Sequence, residues 1–119
     1  MDSEQRARLK TFLANWPELR QFTFMDRDGT PGCIMGHMAV AAGFPVQAWV
    51  KANRFEDPDH KEWNAWHDGI NSPVTWAGEQ FGLDRRQVDA LMRFNDDGEF
   101  EAVKLYLEGL AAAPEGLLV

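Results

Sequence analysis

The sequence predicts an all-α or mainly α fold, a compact single domain of six to seven short helices with at most a minor two-stranded element. Apolar residues recur three and four positions apart along most of the chain, which is the spacing of one helix face. Proline opens and glycine closes several of these segments, as is typical of helices. One short segment, residues 21–24, alternates between polar and apolar residues in the manner of a strand.

The first predicted helix covers residues 3–15. Ser3 is its candidate N-cap, because a serine side chain can accept a hydrogen bond from a free amide of the first turn. An apolar stripe runs along it and consists of Leu9, Phe12, Leu13 and Trp16. The short extended segment 21–24 and a turn at residues 26–29 are expected to follow it.

The second predicted helix, residues 31–42, has almost no charged residue and should be buried on most sides. Thr30 is its candidate cap, and Pro31 suits the first helical position. Gly32 and Gly36 each disfavour a helix by about 1 kcal/mol relative to alanine. We expect them where another element packs closely against the backbone.

Five further helices are predicted, and they cover residues 45–54, 58–68, 73–81, 84–94 and 98–112. Asp84 and Gln87 have the spacing of a capping box. Residues 95–98, with the sequence Asn-Asp-Asp-Gly, should form a turn. No linker or repeat divides the chain, so residues 1–119 form one predicted domain, with fraying from about residue 114.

Composition excludes several classes of protein. Twelve basic and nineteen acidic residues give a net charge of −7, which argues against direct nucleic-acid binding. A single cysteine excludes an internal disulfide framework, and no apolar run reaches 18 residues, so we expect no membrane interaction. The charged start, residues 1–6, lacks the pattern of a secretory signal, and we expect a cytoplasmic protein.

The acidic excess is concentrated in two stretches, residues 56–68 and 84–101. Two solvated helix faces would account for it. Alternatively, a field of one sign could steer a basic protein partner onto this surface. Tryptophan anchors interfaces, so we expect at least one tryptophan of the first stretch to be partly exposed. The predicted partner-binding residues are Glu56, Asp57, Asp59, Glu62, Trp63, Trp66, Asp96, Asp97 and Glu99.

Cys33 and His37 form a second candidate site. A cysteine in the first turn of a helix can be held as a thiolate, and a histidine four residues later lies on the same face. A hydrolase or transferase could use Cys33 as nucleophile and His37 as base. Alternatively, Cys33 is a small buried apolar residue and His37 makes an ordinary polar contact.

No metal site or cofactor is predicted. His60 and His67 could share a helix face with Trp63, but they lie two turns apart, about 10 Å along the axis. Both could not bind one zinc ion from a regular helix, because zinc–nitrogen bonds are about 2 Å long. The chain has no phosphate-binding or dinucleotide-binding glycine motif.

The segment from Thr30 to Gly43 contains Cys-x-x-Gly-His within an alanine-rich stretch, and a Phe-Gly-Leu helix pair follows at residues 81–92. This arrangement resembles small helical proteins of bacteria and phages that carry the same motif and have no established activity. The resemblance spans about residues 22–95, with Phe81 where that group has leucine. It implies a helical domain encoded by a bacterium or a mobile element, and it assigns no catalytic residue.

Three functions remain open. The first is a small acidic protein that binds a partner surface, such as a phage inhibitor of host nucleic-acid-binding machinery, similar to an anti-CRISPR protein that occupies a basic groove. The second is the Cys33–His37 enzyme. The third is a self-associating structural subunit.

Overall fold

The computed structural model describes residues 1–54 and 73–113, and these residues form six α-helices. The helices are α1 (Ser3–Ala14), α2 (Ile34–Ala41), α3 (Val46–Arg54), α4 (Pro73–Gln80), α5 (Arg85–Asp96) and α6 (Phe100–Ala112). The all-α prediction is therefore confirmed. The only extended pairing among the described residues is an isolated antiparallel bridge between Met25 and Pro31. The predicted helix over 58–68 and the fraying from about residue 114 lie outside the described residues.

Helix α2 lies at the centre of the core. It packs against α4 and α5, while α6 packs against α1 and α5. Four of its side chains are completely buried, which agrees with its nearly uncharged sequence: Ile34, Met35, Met38 and Ala39. No helix in the described part of the chain is long and apolar enough to cross a membrane.

Helix α1 begins one residue earlier than the predicted cap implies. Asp2, not Ser3, is the N-cap, and its carboxylate accepts a hydrogen bond from the backbone N–H of Gln5 at 2.8 Å. The Gln5 side chain in turn accepts from the Asp2 backbone N–H at 2.9 Å. This capping box satisfies two amides, whereas Ser3 as cap would satisfy one.

Side chains of α1 connect it to the ends of two other helices. The Arg6 guanidinium donates to the carbonyl oxygens of Ala111, at 2.8 Å, and of Ala113. The Arg8 guanidinium donates to the carbonyl oxygen of Gln80 at the end of α4. Cations are favourable at helix C-termini, where carbonyl groups lack partners within the helix. These bonds fix α1 across α4 and α6.

Helix α2 begins at Ile34, three residues after the predicted start. Residues 31–33 pair instead with the segment 23–25. The N–H of Gly32 donates to the carbonyl of Phe24 at 3.1 Å, and the N–H of Cys33 donates to the carbonyl of Thr23 at 2.6 Å. These bonds hold the chain extended, so the predicted Thr30 cap and Pro31 start are wrong.

Gly36 places the backbone of α2 directly against the segment 23–25. A Cβ atom at Gly36 would overlap the carbonyl oxygen of Phe24, and one at Gly32 would overlap that of Thr23. The predicted close approach at both glycines is therefore confirmed. The side chain of Phe24 packs edge-on against Phe44, with ring centroids 5.6 Å apart, and Trp49 contacts both rings.

Helix α5 starts as predicted and ends later. Asp84 and Gln87 form the expected capping box, with the Gln87 N–H donating to the Asp84 carboxylate at 2.8 Å. At the other end, Asn95 and Asp96 belong to the helix rather than to a turn. The predicted turn over residues 95–98 is therefore confirmed only for residues 97 and 98; its start is wrong, because Asn95 stays in the helix, where its side chain is completely buried.

Asn95 joins three parts of the fold. Its side-chain oxygen accepts a hydrogen bond from the backbone N–H of Ile34 at 2.9 Å, and its amide nitrogen donates to the carbonyl of Arg20 at 3.0 Å. Cys33, the N-cap of α2, makes no side-chain capping bond. Asn95 therefore satisfies a free amide at the start of α2 and fixes the segment that leads into residues 21–25.

Substituting Gly36 with alanine tests the close approach at α2. Gly36→Ala should lower the free energy of unfolding by about 2 kcal/mol, because the new methyl group forces α2 away from Phe24. Gly109→Ala is the matched control, since Gly109 lies in α6 with open space around it. That control should raise the free energy of unfolding by about 0.5–1 kcal/mol. Urea denaturation measures both values, and equal stabilisation by the two substitutions would contradict the packing.

Candidate functional site

Three of the nine predicted partner-binding residues lie together in the structure. Asp96 is the half-buried last residue of α5, and Asp97 and Glu99 lie in the connection to α6. We name residues 96–99 the acidic turn. The other six lie outside the described residues: Glu56, Asp57, Asp59, Glu62, Trp63 and Trp66. The predicted partial exposure of one of these two tryptophans therefore also lies outside the described residues.

The acidic turn has a defined backbone. Gly98 has a φ of +75°, a conformation that a glycine adopts without steric cost. The N–H of Glu99 donates to the carbonyl of Phe94 at 2.8 Å, which closes the end of α5. The side chains of Asp97 and Glu99 are exposed, and neither forms an ion pair within residues 1–54 and 73–113.

Two of these carboxylates stand where helix electrostatics disfavours them. Asp96 is the last residue of α5 and Asp97 is its C-cap. The C-terminal end of a helix carries partial negative charge, so each anion there costs about 0.3–1 kcal/mol. Arg93 is the basic residue in the last turn of α5. Residues 93–101 still carry one basic and four acidic groups, a net charge of −3.

A loop from another part of the chain is joined to the acidic turn. The side-chain amide of Gln21 donates to the carbonyl of Asp96 at 2.8 Å. The same amide lies 3.1 Å from where a Cβ of Gly98 would be, so the two residues are in close contact. Because Asn95 also holds the carbonyl of Arg20, residues 20 and 21 are both fixed against the end of α5.

The next residue, Phe22, is the most exposed large apolar side chain among the described residues, with 76% of its surface exposed. Its backbone has a φ of +62°, the left-handed conformation that is a marked outlier for an aromatic residue. In a regular strand, residues 22 and 24 would lie on the same face. The left-handed residue breaks this pattern, so that Phe24 is partly buried and packs against the core, whereas Phe22 is exposed to solvent.

Phe22 is the functional candidate that the sequence pattern missed. Its left-handed backbone arises from long-range bonds, those of Asn95 to Arg20 and of Gln21 to Asp96. No residue next to Phe22 is a glycine or an asparagine that would indicate such a conformation locally.

The two residues of the second candidate site lie in different surroundings: Cys33 is in the interior, and His37 lines the wall of a groove. Cys33 is 1% exposed, and burial raises the pKa of its thiol, with the charge of Asp96 acting in the same direction. Backbone amides at the start of α2 lower it less. The thiol form is therefore favoured, whereas catalysis would require the thiolate.

His37 is half-buried beside a groove of about 590 Å³ between α1 and α2. Burial lowers the pKa of His37, the backbone of Glu18 opposes this effect, and the charge of Arg20 reinforces it. Its Nε2 atom is buried without a hydrogen-bond partner among the described residues. Across those residues, no three histidine, cysteine, aspartate or glutamate side chains are grouped so as to hold a metal ion.

Comparisons with known proteins give no further assignment. No protein-family model matches the chain, and neither a curated protein nor a solved structure is significantly similar to it.

Thiol alkylation distinguishes a buried Cys33 from a catalytic one. Native protein at neutral pH should react with iodoacetamide far more slowly than free cysteine does, because the thiol is buried and protonated. After denaturation in urea, the same thiol should react completely, which serves as the internal control. Mass spectrometry measures both extents. Rapid alkylation of the native protein would instead support the enzyme.

Proposed function

We propose that this protein acts by binding a basic surface of a partner protein through the acidic turn. The observation that carries the proposal is the exposed, unpaired carboxylate of Asp97 at the C-terminal end of α5, where it opposes the helix dipole, with the exposed, unpaired carboxylate of Glu99 two residues later. A folded domain gains nothing in stability from Asp97 at this position. A partner with lysine or arginine side chains would gain charge-assisted hydrogen bonds from it.

The partner class follows from the sign of the charge. A surface of net negative charge steers basic surfaces toward it and repels nucleic acid and a second copy of the same surface. Proteins that bind nucleic-acid phosphates present lysine and arginine on the binding surface, which makes that surface basic. We propose that the protein is a cytoplasmic inhibitor of such machinery, encoded by a phage or mobile element, in the manner of an anti-CRISPR protein.

Burial of Cys33 also favours binding over catalysis. The Cys33–His37 enzyme needs an accessible, ionisable thiol, and burial raises the pKa of this thiol. The carboxylates of Asp97 and Glu99 in the acidic turn, in contrast, are exposed in the folded protein.

Charge reversal at the acidic turn tests the proposed function. A variant with Asp97→Lys and Glu99→Lys should lose the basic proteins that the wild type captures from a bacterial lysate. The fold should persist, because neither side chain makes a capping bond. A lysine at position 97 is favourable for the dipole of α5, and one at position 99, the N-cap of α6, costs only about 0.3–1 kcal/mol. Mass spectrometry of the captured proteins identifies those that are lost.

The matched control reverses two exposed carboxylates elsewhere, with Glu79→Lys and Glu108→Lys. It makes the same change in net charge and should retain the partner. Affinity for the purified partner should fall about tenfold or more between about 50 and 300 mM salt, because exposed charges are screened. Unchanged capture by the acidic-turn variant, or an affinity independent of salt, would contradict the proposal.

A further inference from the structure

We propose that Phe22 and the acidic turn form one docking surface, and that it fits a protein partner with an apolar pocket bordered by lysine or arginine side chains. This inference rests on the proposed function and adds the apolar part of the partner. The observation that carries it is the link between Phe22 and the acidic turn. Phe22 directly follows Gln21 in the chain, and the Gln21 side-chain amide donates a hydrogen bond to the carbonyl of Asp96.

Phe22 is held outward by its surroundings. The backbone N–H of Arg20 donates to the carbonyl of Gly32 at 2.9 Å, on one side of Phe22. On the other side, the carbonyl of Thr23 accepts from the N–H of Cys33 at 2.6 Å. Together with the bond from the Gln21 side chain to the carbonyl of Asp96, these bonds fix the chain on both sides of Phe22, and the left-handed conformation is imposed on the residue between them.

An exposed aromatic ring on a fixed backbone is suited to be an interface anchor. Aromatic side chains lose little conformational freedom on binding, and an already ordered backbone loses less still. Interfaces take most of their affinity from a few such anchors that enter apolar pockets, with charged groups around them. Phe22 would supply the anchor, and Asp97 and Glu99 would supply part of the charged rim.

The charges near Phe22 select the rest of the partner's chemistry. Arg20 is the nearest cation along the chain, and it is paired with Asp26 at 2.9 Å. The unpaired charges of the adjoining acidic turn are negative, so cations around the partner's pocket are complementary. An anionic membrane surface would also attract an aromatic side chain, but these carboxylates would be repelled by it.

The test selects binders rather than assuming a partner. A library of random, disulfide-constrained peptides displayed on phage is panned against the wild-type protein, and the enriched peptides are synthesised. They should combine lysine or arginine with leucine, isoleucine or an aromatic residue. Fluorescence anisotropy then gives their affinities for the wild type and for the variants.

Phe22→Asn is the decisive variant, because asparagine tolerates the left-handed conformation and removes only the ring. It should weaken binding of the enriched peptides about tenfold or more, while stability to urea is no lower than that of the wild type. Phe22→Tyr should retain most of the affinity. The matched control is Leu105→Gln, which removes another exposed apolar side chain, 59% exposed on α6, and should leave affinity unchanged.

The outcomes separate this inference from the proposed function. Peptides that are lost on reversal at Asp97 and Glu99 but bind Phe22→Asn normally would overturn the inference and leave the proposed function standing. Peptides that depend on Phe22 but not on the carboxylates would overturn both. Enrichment of no peptide, or only of peptides without basic residues, would also overturn the inference.

A vesicle experiment excludes the other class of partner. Vesicles of phosphatidylcholine, with and without phosphatidylglycerol, should not bind the protein in a flotation assay. Binding that is lost in Phe22→Asn would overturn the assignment to a protein partner and indicate a lipid surface instead.

Discussion

The rest of the structure depends on the buried side chain of Asn95. A buried amide that lost its partners would cost about 1–3 kcal/mol, so its two hydrogen bonds strongly define the positions of the groups that they join. One bond fixes the start of α2, and the other fixes the backbone of Arg20. The core helix and the loop that carries Phe22 are therefore positioned by the same residue, which lies directly before the acidic turn. The surface proposed to bind a partner is therefore held in place by hydrogen bonds that are made inside the core.

Two neighbouring features of that surface are locally unfavourable. A left-handed aromatic residue costs of the order of 1–3 kcal/mol, and anions at the end of α5 oppose its dipole. Several other helix ends follow the local rules: capping boxes begin α1 and α5, and arginines donate to the carbonyls at the ends of α4 and α6. Departures from these rules are expected at functional sites, because there the constraint comes from binding rather than from folding. Gln21, which precedes Phe22, contacts Asp96 and Gly98 on either side of Asp97, and this contact is the reason to treat the two features as one surface.

The sequence was sufficient for the fold class, for most helix bounds and for the buried character of α2. These features follow from the spacing of apolar residues, from capping residues, and from proline and glycine at helix ends. All of these signals come from residues close together in sequence. The glycines at 32 and 36 were also interpretable, since they implied a close backbone approach that Thr23 and Phe24 provide. The start of α2, the burial of Asn95 and the conformation of Phe22 were not predictable. Each is determined by a bond between residues distant in sequence, and no local pattern encodes such a bond.

Amide hydrogen exchange in an Asn95→Ala variant tests the dependence on Asn95 most directly. The exchange protection of Arg20, Cys33 and Ile34 should fall together, because their bonds lie on the two segments that Asn95 joins. Amides in the middle of α6, such as those of Val103 and Leu107, should keep protection limited only by global unfolding. A loss confined to Ile34, with Arg20 and Cys33 unchanged, would show that the Phe22 loop is held independently of Asn95 and would contradict the account.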